Sequence, residues 1–202
     1  YNLSGGPINC NEVGVGGGTV ANTGVMDMTG GIINDAGWVG VARGAGSSGV
    51  LNMTGGAMNL AGTVANSRLA LNVQNFNAGV SGQAVVNLGN GAITGSTIST
   101  CYLDLMTTGN AGNRSVFNLL NGGVLTIYQV SAVAAAGTAL FNFNGGTLKA
   151  TSANAGANFM TSANIDGVYV YGNGGTIDDN GTAITISRPL LAPTGNGVSS
   201  IT

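Results

Sequence analysis

VMDMTGGII, residues 25–33, is followed at residues 50–58 by VLNMTGGAM. The shared plan is an apolar–polar–apolar run, a glycine pair, and an aliphatic residue two positions later. It occurs seven times, at intervals of about 23 to 35 residues, although the last copy keeps only the turn. The pairs are Gly5-Gly6, Gly30-Gly31, Gly55-Gly56, Asn90-Gly91, Gly122-Gly123, Gly145-Gly146 and Gly174-Gly175. The aliphatic residues are Ile8, Ile33, Met58, Ile93, Leu125, Leu148 and Ile177. A repeat of this length indicates a solenoid or a propeller.

A polar residue lies four positions before the second glycine in five of the units. These residues are Asn2, Asp27, Asn52, Asn87 and Asn142, and Asn118 matches them with one residue inserted. Large apolar residues stand on both sides of each, which is the two-residue alternation of a strand with one buried face. We expect the polar residues to form a column that faces outward or hydrogen bonds along the stack, as asparagine ladders do.

The glycine pair marks a corner between two strands. Phe141 and Phe143 are two residues apart and share a face, whereas Leu148 is five residues further on and would lie on the opposite face of a straight strand. The pair must therefore hold a bend that resets the phase. Asn90 replaces glycine in one unit, which predicts a left-handed backbone there, because asparagine tolerates positive φ better than other residues.

Strand, glycine corner and second strand predict one coil of a right-handed parallel β-helix. Residues 1–202 would form a single all-β solenoid segment of about seven to eight coils, roughly 35–40 Å long. One apolar column would contain Tyr1, Met26, Leu51, Val86, Phe117 and Phe141, and the aliphatic series would form another. The longer units should bulge at residues 62–82, 95–115 and 150–169.

Other repeat architectures fit less well. Propeller blades need about 40–45 residues and four strands each, which these units are too short to supply. No glycine-free window has the 3.6-residue period of an α-solenoid. Val130–Leu140, with its alanine run, is the one candidate helix, and its place between two units favours a loop or a strand.

Charge is scarce in this chain. Five basic and seven acidic residues make up 6% of 202 residues, against a usual quarter, and the hydrophobic fraction is 44%. The composition excludes a basic footprint for nucleic acid, and no basic amphipathic or long apolar stretch predicts a membrane-bound or transmembrane segment. Low charge with abundant Gly, Asn, Ser and Thr is typical of secreted bacterial β-rich proteins, so we expect an extracellular, cell-surface location.

The two cysteines, Cys10 and Cys101, would lie four coils apart in this register. That separation exceeds the Cα distance that a disulfide can span, so we expect no bridge between them and interpret both as small buried residues. An intermolecular bridge would require side-by-side packing of copies.

The segment after Phe141 resembles a known family. Residues 140–150 read LFNFNGGTLKA, and residues 174–202 read GGTIDDNGTAITISRPLLAPTGNGVSSIT. These stretches resemble the autotransporter-associated β-strand repeat of very large bacterial surface proteins, with its Gly-Gly-Thr-Leu turn, Gly-Gly-x-Ile-Asp-x-Asn-Gly segment and Leu-Leu-Ala-Pro stretch. The earlier units look like looser copies. The resemblance implies an extracellular parallel β-helix that serves as a passenger, stalk or adhesin.

No set of residues predicts catalysis, a cofactor or a metal. Histidine is absent, which removes the commonest general base and most zinc sites, and neither cysteine belongs to a metal-spaced cluster. VGVGGGT, residues 13–19, lacks the lysine of a phosphate-binding loop and is interpreted as a tight turn.

Asp178-Asp179, with Asp166 upstream and Arg188 downstream, is the one concentration of charge. Adjacent strand residues face opposite sides, so a glycosidase pair is not expected there, and a calcium site built from the three aspartates has equally little support. Among four Asn-x-Ser/Thr sequons, Asn2 and Asn52 belong to the polar column, whereas Asn113 and Asn180 lie in predicted loops and are the better glycan acceptors.

We therefore expect a structural surface protein that forms an extracellular filament, stalk or coat, without enzymatic activity. Its partners would be copies of itself stacked head to tail through the terminal coils, or flanking repeats of the same chain. Tyr1–Ser4 and Val198–Thr202 are uncapped strands, so Ile201 should meet Tyr1 or Leu3 of the next unit. A carbohydrate-binding adhesin, with surface glycans as partners, is the alternative, and a polysaccharide lyase or hydrolase is the third.

Overall fold

The computed structural model is all-β, and it describes residues 1–18, 21–61, 68–73, 81–95, 101–154 and 156–194. One short 3-10 helix, Gly156–Asn158, is the exception to the β-structure of these residues. The strands are β1 Asn2–Leu3, β2 Pro7–Gly17, β3 Thr23–Arg43, β4 Ser48–Leu60, β5 Leu69–Val73, β6 Gln83–Leu88, β7 Ala92–Gly95, β8 Leu103–Asp104, β9 Arg114–Leu120, β10 Val124–Ile127, β11 Val130–Ser131, β12 Thr138–Asn144, β13 Thr147–Ala150, β14 Gly167–Val170, β15 Thr176–Asp178 and β16 Leu190–Leu191. They form one curled sheet in which the strand pairs run parallel.

The first stack of strands contains the segment before each glycine corner. Its members, in order, are β1, the start of β3, the start of β4, β6, β9, β12, β14 and β16. The register aligns Met26, Leu51, Val86, Phe117 and Phe141. All five are buried. The predicted column is confirmed for these residues; Tyr1, beside it at the edge, is 71% exposed.

The second stack follows the corner, and its register confirms the predicted aliphatic series without exception. Parallel pairs align Ile8, Ile33, Met58, Ile93, Leu125, Leu148 and Ile177. The five central members have no exposed surface, whereas Ile8 and Ile177 lie in the first and last layers and are partly exposed. Regular spacing of one aliphatic residue after each corner is enough to build this column.

A third stack was not predicted. The ends of β2 and β3 pair with each other, β5 and β8 continue the stack, β11 follows, and a parallel bridge joins Met160 to Ile186. The expected bulges at residues 62–82 and 95–115 therefore contain strands of a regular stack, β5 in the first range and β8 in the second. All five residues of β5 are buried, so the strand lacks the alternation that marks a half-exposed strand.

Side chains from the three stacks share one apolar interior. Phe117 and Phe141 stack in consecutive layers with ring centroids 5.3 Å apart and planes 7° from parallel. Phe143 tilts against Phe141 at 4.9 Å. Val130–Leu140 is non-helical, as predicted: it contains β11, a loop and the start of β12.

The corners have the predicted left-handed backbone. Positive φ occurs at Gly6, Gly31, Gly56, Asn90, Gly122, Gly145 and Gly174. Asn90, with φ of 51°, confirms that the position requires this conformation rather than small size alone. In the first three units the second residue of the pair has positive φ, and in the last four the first residue does.

Gly56→Ala should destabilise the chain by about 1–3 kcal/mol, because alanine is strained at a φ of 81°. Its Cβ would also lie 2.7 Å from the Gly31 carbonyl oxygen of the preceding layer. Gly56→Asn should cost less, since Asn90 adopts the same conformation. Urea unfolding checks the order; Gly172→Ala is the control, because that Cβ would meet nothing within 4 Å. Equal stabilities for Gly56→Ala and Gly172→Ala would contradict the corner assignment.

Polar side chains on the outer face hydrogen bond from layer to layer. Each asparagine of this ladder donates a hydrogen bond from Nδ2 to the Oδ1 of the ladder residue in the preceding layer. The donors are Asn52, Asn87, Asn118 and Asn142, the first acceptor is Asp27, and the distances are 2.7–2.8 Å. This ladder was predicted. A second, unpredicted ladder joins Asn59 to Asn34 and Asn34 to Asn9 at 2.9 Å. Both ladders fix neighbouring layers in register.

Candidate functional site

The three aspartates near the C-terminal part of the structure each accept a hydrogen bond from a nearby group. Asp178 Oδ2 accepts a hydrogen bond from Lys149 Nζ at 2.6 Å, and Asp178 Oδ1 accepts one from the Asn180 N–H. Asp179 accepts from the Gly181 N–H within the same turn. Asp166 accepts from the Ala139 N–H on another strand. Each carboxylate therefore has a local structural contact.

Arg188 does not join these three aspartates. Among the described residues, the salt bridges are Arg43–Glu12, Arg68–Asp104 and Lys149–Asp178. The contact with Lys149 is the main cause that lowers the pKa of Asp178, and the hydrogen bond from the Asn180 N–H lowers it further. A carboxyl held ionised in this way is unsuited to act as the general acid of a glycosidase.

Residues 13–17 of the glycine-rich run form a strand rather than a turn. Val13–Gly17 belongs to β2 and pairs with β3, which corrects the tight-turn interpretation, and Thr19 lies outside the described residues. Alternating valine and glycine suits an edge strand whose outward positions carry no side chain. The next element in the described part of the chain is the strand β3.

Both cysteines are free, in agreement with the prediction. Cys10 lies in the first layer of the second stack and Cys101 follows β7 in the fourth, so they are three layers apart rather than four. Cys101 is buried and its thiol contacts the Leu60 carbonyl at 3.6 Å. Cys10 packs against the apolar core but is only partly buried, which corrects its interpretation as a buried residue.

Asn113 lies in a loop, as predicted, but it is buried there, which argues against its interpretation as one of the better glycan acceptors. Its side chain is 1% exposed; Oδ1 accepts from the Gly82 N–H, and Nδ2 donates to the Thr108 carbonyl. The loop that contains it folds inward, so its amide is unavailable to a glycan in the folded state. Asn180 is exposed in a turn, as predicted.

Asp35 is a buried carboxylate that the sequence analysis missed. It lies two residues after the inward-facing Ile33 and has no exposed surface. Its Oδ1 lies 3.7 Å from Cys10 Sγ, whereas Oδ2 has no hydrogen-bond partner. Burial raises the pKa of Asp35, and the contacts with the Cys10 thiol and the Gly37 N–H oppose that rise.

Asp104 is a second buried carboxylate. Its Oδ1 accepts hydrogen bonds from the backbone N–H groups of Met106 and Val133, and Arg68 lies 3.9 Å from Oδ2. Arg68 also donates to the Tyr102 hydroxyl at 2.6 Å. Burial raises the pKa of Asp104, and the Val133 N–H is the largest opposing contact.

The two buried carboxylates predict a pH dependence of stability. Because their folded-state pKa values are raised, the stabilisation from protonation is complete below the pKa of free aspartate, about 3.9, and is lost as pH rises through the folded-state values. The chain should therefore be more stable near pH 4 than near pH 7. The Lys149–Asp178 contact acts oppositely, but its contribution is lost below the pKa of free aspartate.

Urea unfolding midpoints at the two pH values test this dependence. Asp35→Asn with Asp104→Asn should flatten it, whereas Asp179→Asn, at an exposed turn, should not. Stability that rises with pH equally in all variants would contradict the assignment.

The first layer of the structure ends in an apolar strand edge. We call β1 and β2 the first-layer edge; within the described residues both pair only with β3. Tyr1 is 71% exposed, and a cavity of about 380 Å³ opens beside it among Ile8, Val13 and Met26. The side chains that line the interior of the stack are therefore accessible at this edge.

The last layer ends similarly. We call β15 and β16 the last-layer edge; in the described ranges each pairs with one neighbour, β13 and β14 respectively. Ile177, Leu190 and Leu191 are 39–49% exposed, and a cavity of about 600 Å³ lies between Ile177 and Ile186. Ile201, predicted to contact the next unit, lies outside the described residues.

The described part of the chain contains no group of three or more Cys, Asp or Glu side chains placed to hold a metal ion. Among the same residues there is no helix with the length and hydrophobicity needed to span a bilayer. Comparison of the chain with protein-family models, curated proteins and solved structures found no match.

Proposed function

We propose that this chain is a structural segment of a bacterial cell-surface protein, folded as a right-handed parallel β-helix of seven to eight coils. In this proposal the three stacks close around the shared interior, and the rod extends by adding further coils at its edges. The resemblance to autotransporter-associated β-strand repeats supports an extracellular stalk, filament or coat. The chain has no enzymatic role in this account, since the carboxylates near its C-terminal part are occupied by structural contacts.

The observation that carries the proposal is the pair of apolar strand edges. An unpaired strand offers a row of N–H and C=O groups to another strand, and proteins that avoid such pairing cover or charge their edges. Here the last-layer edge exposes Ile177, Leu190 and Leu191, and the first-layer edge exposes Tyr1. A head-to-tail contact between two different edges does not close on itself and therefore generates a filament.

The occupant of each edge is a strand of the same type, supplied by another copy or by a flanking repeat. The 202-residue chain should therefore form elongated assemblies, observed by light scattering and electron microscopy. Leu190→Lys with Leu191→Lys should prevent assembly, because charge at an edge opposes strand addition. Val133→Lys is the matched control: Val133 is 57% exposed but lies in the loop after β11. A stable monomer at high concentration, or equal effects of the two changes, would contradict the proposal.

A carbohydrate-binding adhesin is the second candidate, and one row of side chains favours it. This row occupies one position in four consecutive layers of the third stack, directly before the aligned strand residues. Its members are partly exposed; they are Trp38, Arg68, Tyr102 and Gln129. Aromatic surfaces next to a few polar groups are common in sites for small ligands. Glycan array binding that is lost in Tyr102→Ala would support this function, and absence of binding would exclude it.

A further inference from the structure

Cys10 and Asp35 occupy equivalent positions in consecutive layers of the second stack. Cys10 Sγ lies 3.7 Å from Asp35 Oδ1. Both residues line a cavity of about 370 Å³ together with Asn9, Asn11 and Asn34. The cavity lies in the first layers of the second stack, whereas Lys149 and Asp178 lie in the last described layers of that stack.

The Asp35 carboxylate has no positively charged partner among the described residues. It has no exposed surface, its Oδ2 accepts no hydrogen bond, and none of the salt bridges among the described residues involves it. A buried carboxylate without a counter-charge is costly. A cation in the cavity would supply that charge.

We propose that Cys10 and Asp35 bind one soft divalent cation, of the class of Zn²⁺ or Cd²⁺, in this cavity. Zinc–sulfur and zinc–oxygen bonds of about 2.3 and 2.0–2.2 Å at a tetrahedral angle place the two ligand atoms about 3.5–3.7 Å apart. The observed distance from Cys10 Sγ to Asp35 Oδ1 is 3.7 Å, which matches this separation.

The chemistry of the two ligands sets the choice of metal. A thiolate selects soft or borderline ions over Mg²⁺ and Ca²⁺, which prefer oxygen ligands. The thiol must lose its proton to solvent when the ion binds. Asn34 Oδ1 already accepts from Asn59, and solvent completes the coordination in an exchangeable site.

Titration of the purified chain with cadmium chloride, followed by the ultraviolet absorption of the cadmium–thiolate bond, tests the site. We expect one cadmium per chain, competition by zinc, and release of a proton on binding. Cys10→Ser and Cys10→Ala should both abolish the absorption, and circular dichroism verifies that the variants remain folded. Asp35→Asn should weaken affinity by about tenfold or more, the loss that follows even from removing groups outside the ligand set.

Two control variants separate this site from other thiols and carboxylates. Cys101→Ala removes the buried cysteine and should leave the titration unchanged. Asp27→Asn removes a carboxylate from the same strand, β3, while retaining an oxygen for the Asn52 hydrogen bond. Absence of the thiolate absorption, its loss in Cys101→Ala, or equal affinities for Asp35→Asn and Asp27→Asn would each overturn the proposal.

Discussion

Ile93→Asp should unfold the chain. Ile93 has no exposed surface and lies in the centre of the aliphatic column, between Met58 and Leu125 of the adjacent layers. The change removes a buried side chain and introduces a carboxylate where neither neighbour can pair with it. We expect a loss of more than about 4 kcal/mol, which is comparable to the whole stability of many domains.

Thr94→Asp is the matched control for this change. Thr94 follows Ile93 directly on β7, but it is exposed and aligned with Asn59 and Thr126 on the outer face. The same carboxylate there should alter stability by less than about 1 kcal/mol. Circular dichroism and urea unfolding measure both. A folded Ile93→Asp variant with a stability close to that of Thr94→Asp would show that the column is not the interior.

Phe141→Ala should cost about 3–5 kcal/mol and lower the melting temperature by about 10 °C. Phe141 is fully buried and contacts Phe117 and Phe143, with centroids 5.3 and 4.9 Å away. Alanine would leave a cavity and remove both aromatic contacts. The loss of stability should be large at this position because the ring is enclosed by the layers on both sides.

Two further variants test the packing at Phe141. Phe141→Leu should recover part of the loss, since it refills most of the volume. Leu140→Ala, on the half-buried outer face of the same strand, should cost about 1 kcal/mol. Differential scanning calorimetry gives the order. Equal losses for Phe141→Ala and Leu140→Ala would contradict the assigned faces of β12.

Two of the three stacks could be predicted because each unit contains its own reference point. A left-handed residue, Gly56 or Asn90 for example, marks the corner, and the aliphatic residue two positions after the pair begins the next inward face. The third stack also has a left-handed position, at Gly16, Ala42 and Asn72, but the residue type changes there from layer to layer, so the sequence carries no recurring signal. In β5 every residue is buried, and β8 has only two residues, so neither strand shows a two-residue alternation. These strands are recognised through pairing between distant segments.

The buried carboxylates differ in how far the sequence could have revealed them. Asp35 could have been predicted, because it lies two residues after the inward-facing Ile33 on a continuous strand. Asp104 could not, because its burial depends on Arg68 and on the Val133 N–H from another layer. Asn113 was misinterpreted for the same reason: its partners, Gly82 and Thr108, lie in segments that only folding brings together.

We propose that successive units close into stacked coils of a parallel β-helix. A density map that resolves individual strands would test this closure. We expect three strands per coil, a spacing of about 4.8 Å between layers, and a right-handed path that returns from the third stack to the first. Antiparallel hairpins at the glycine pairs, or a sheet whose third stack lies away from the first, would contradict it.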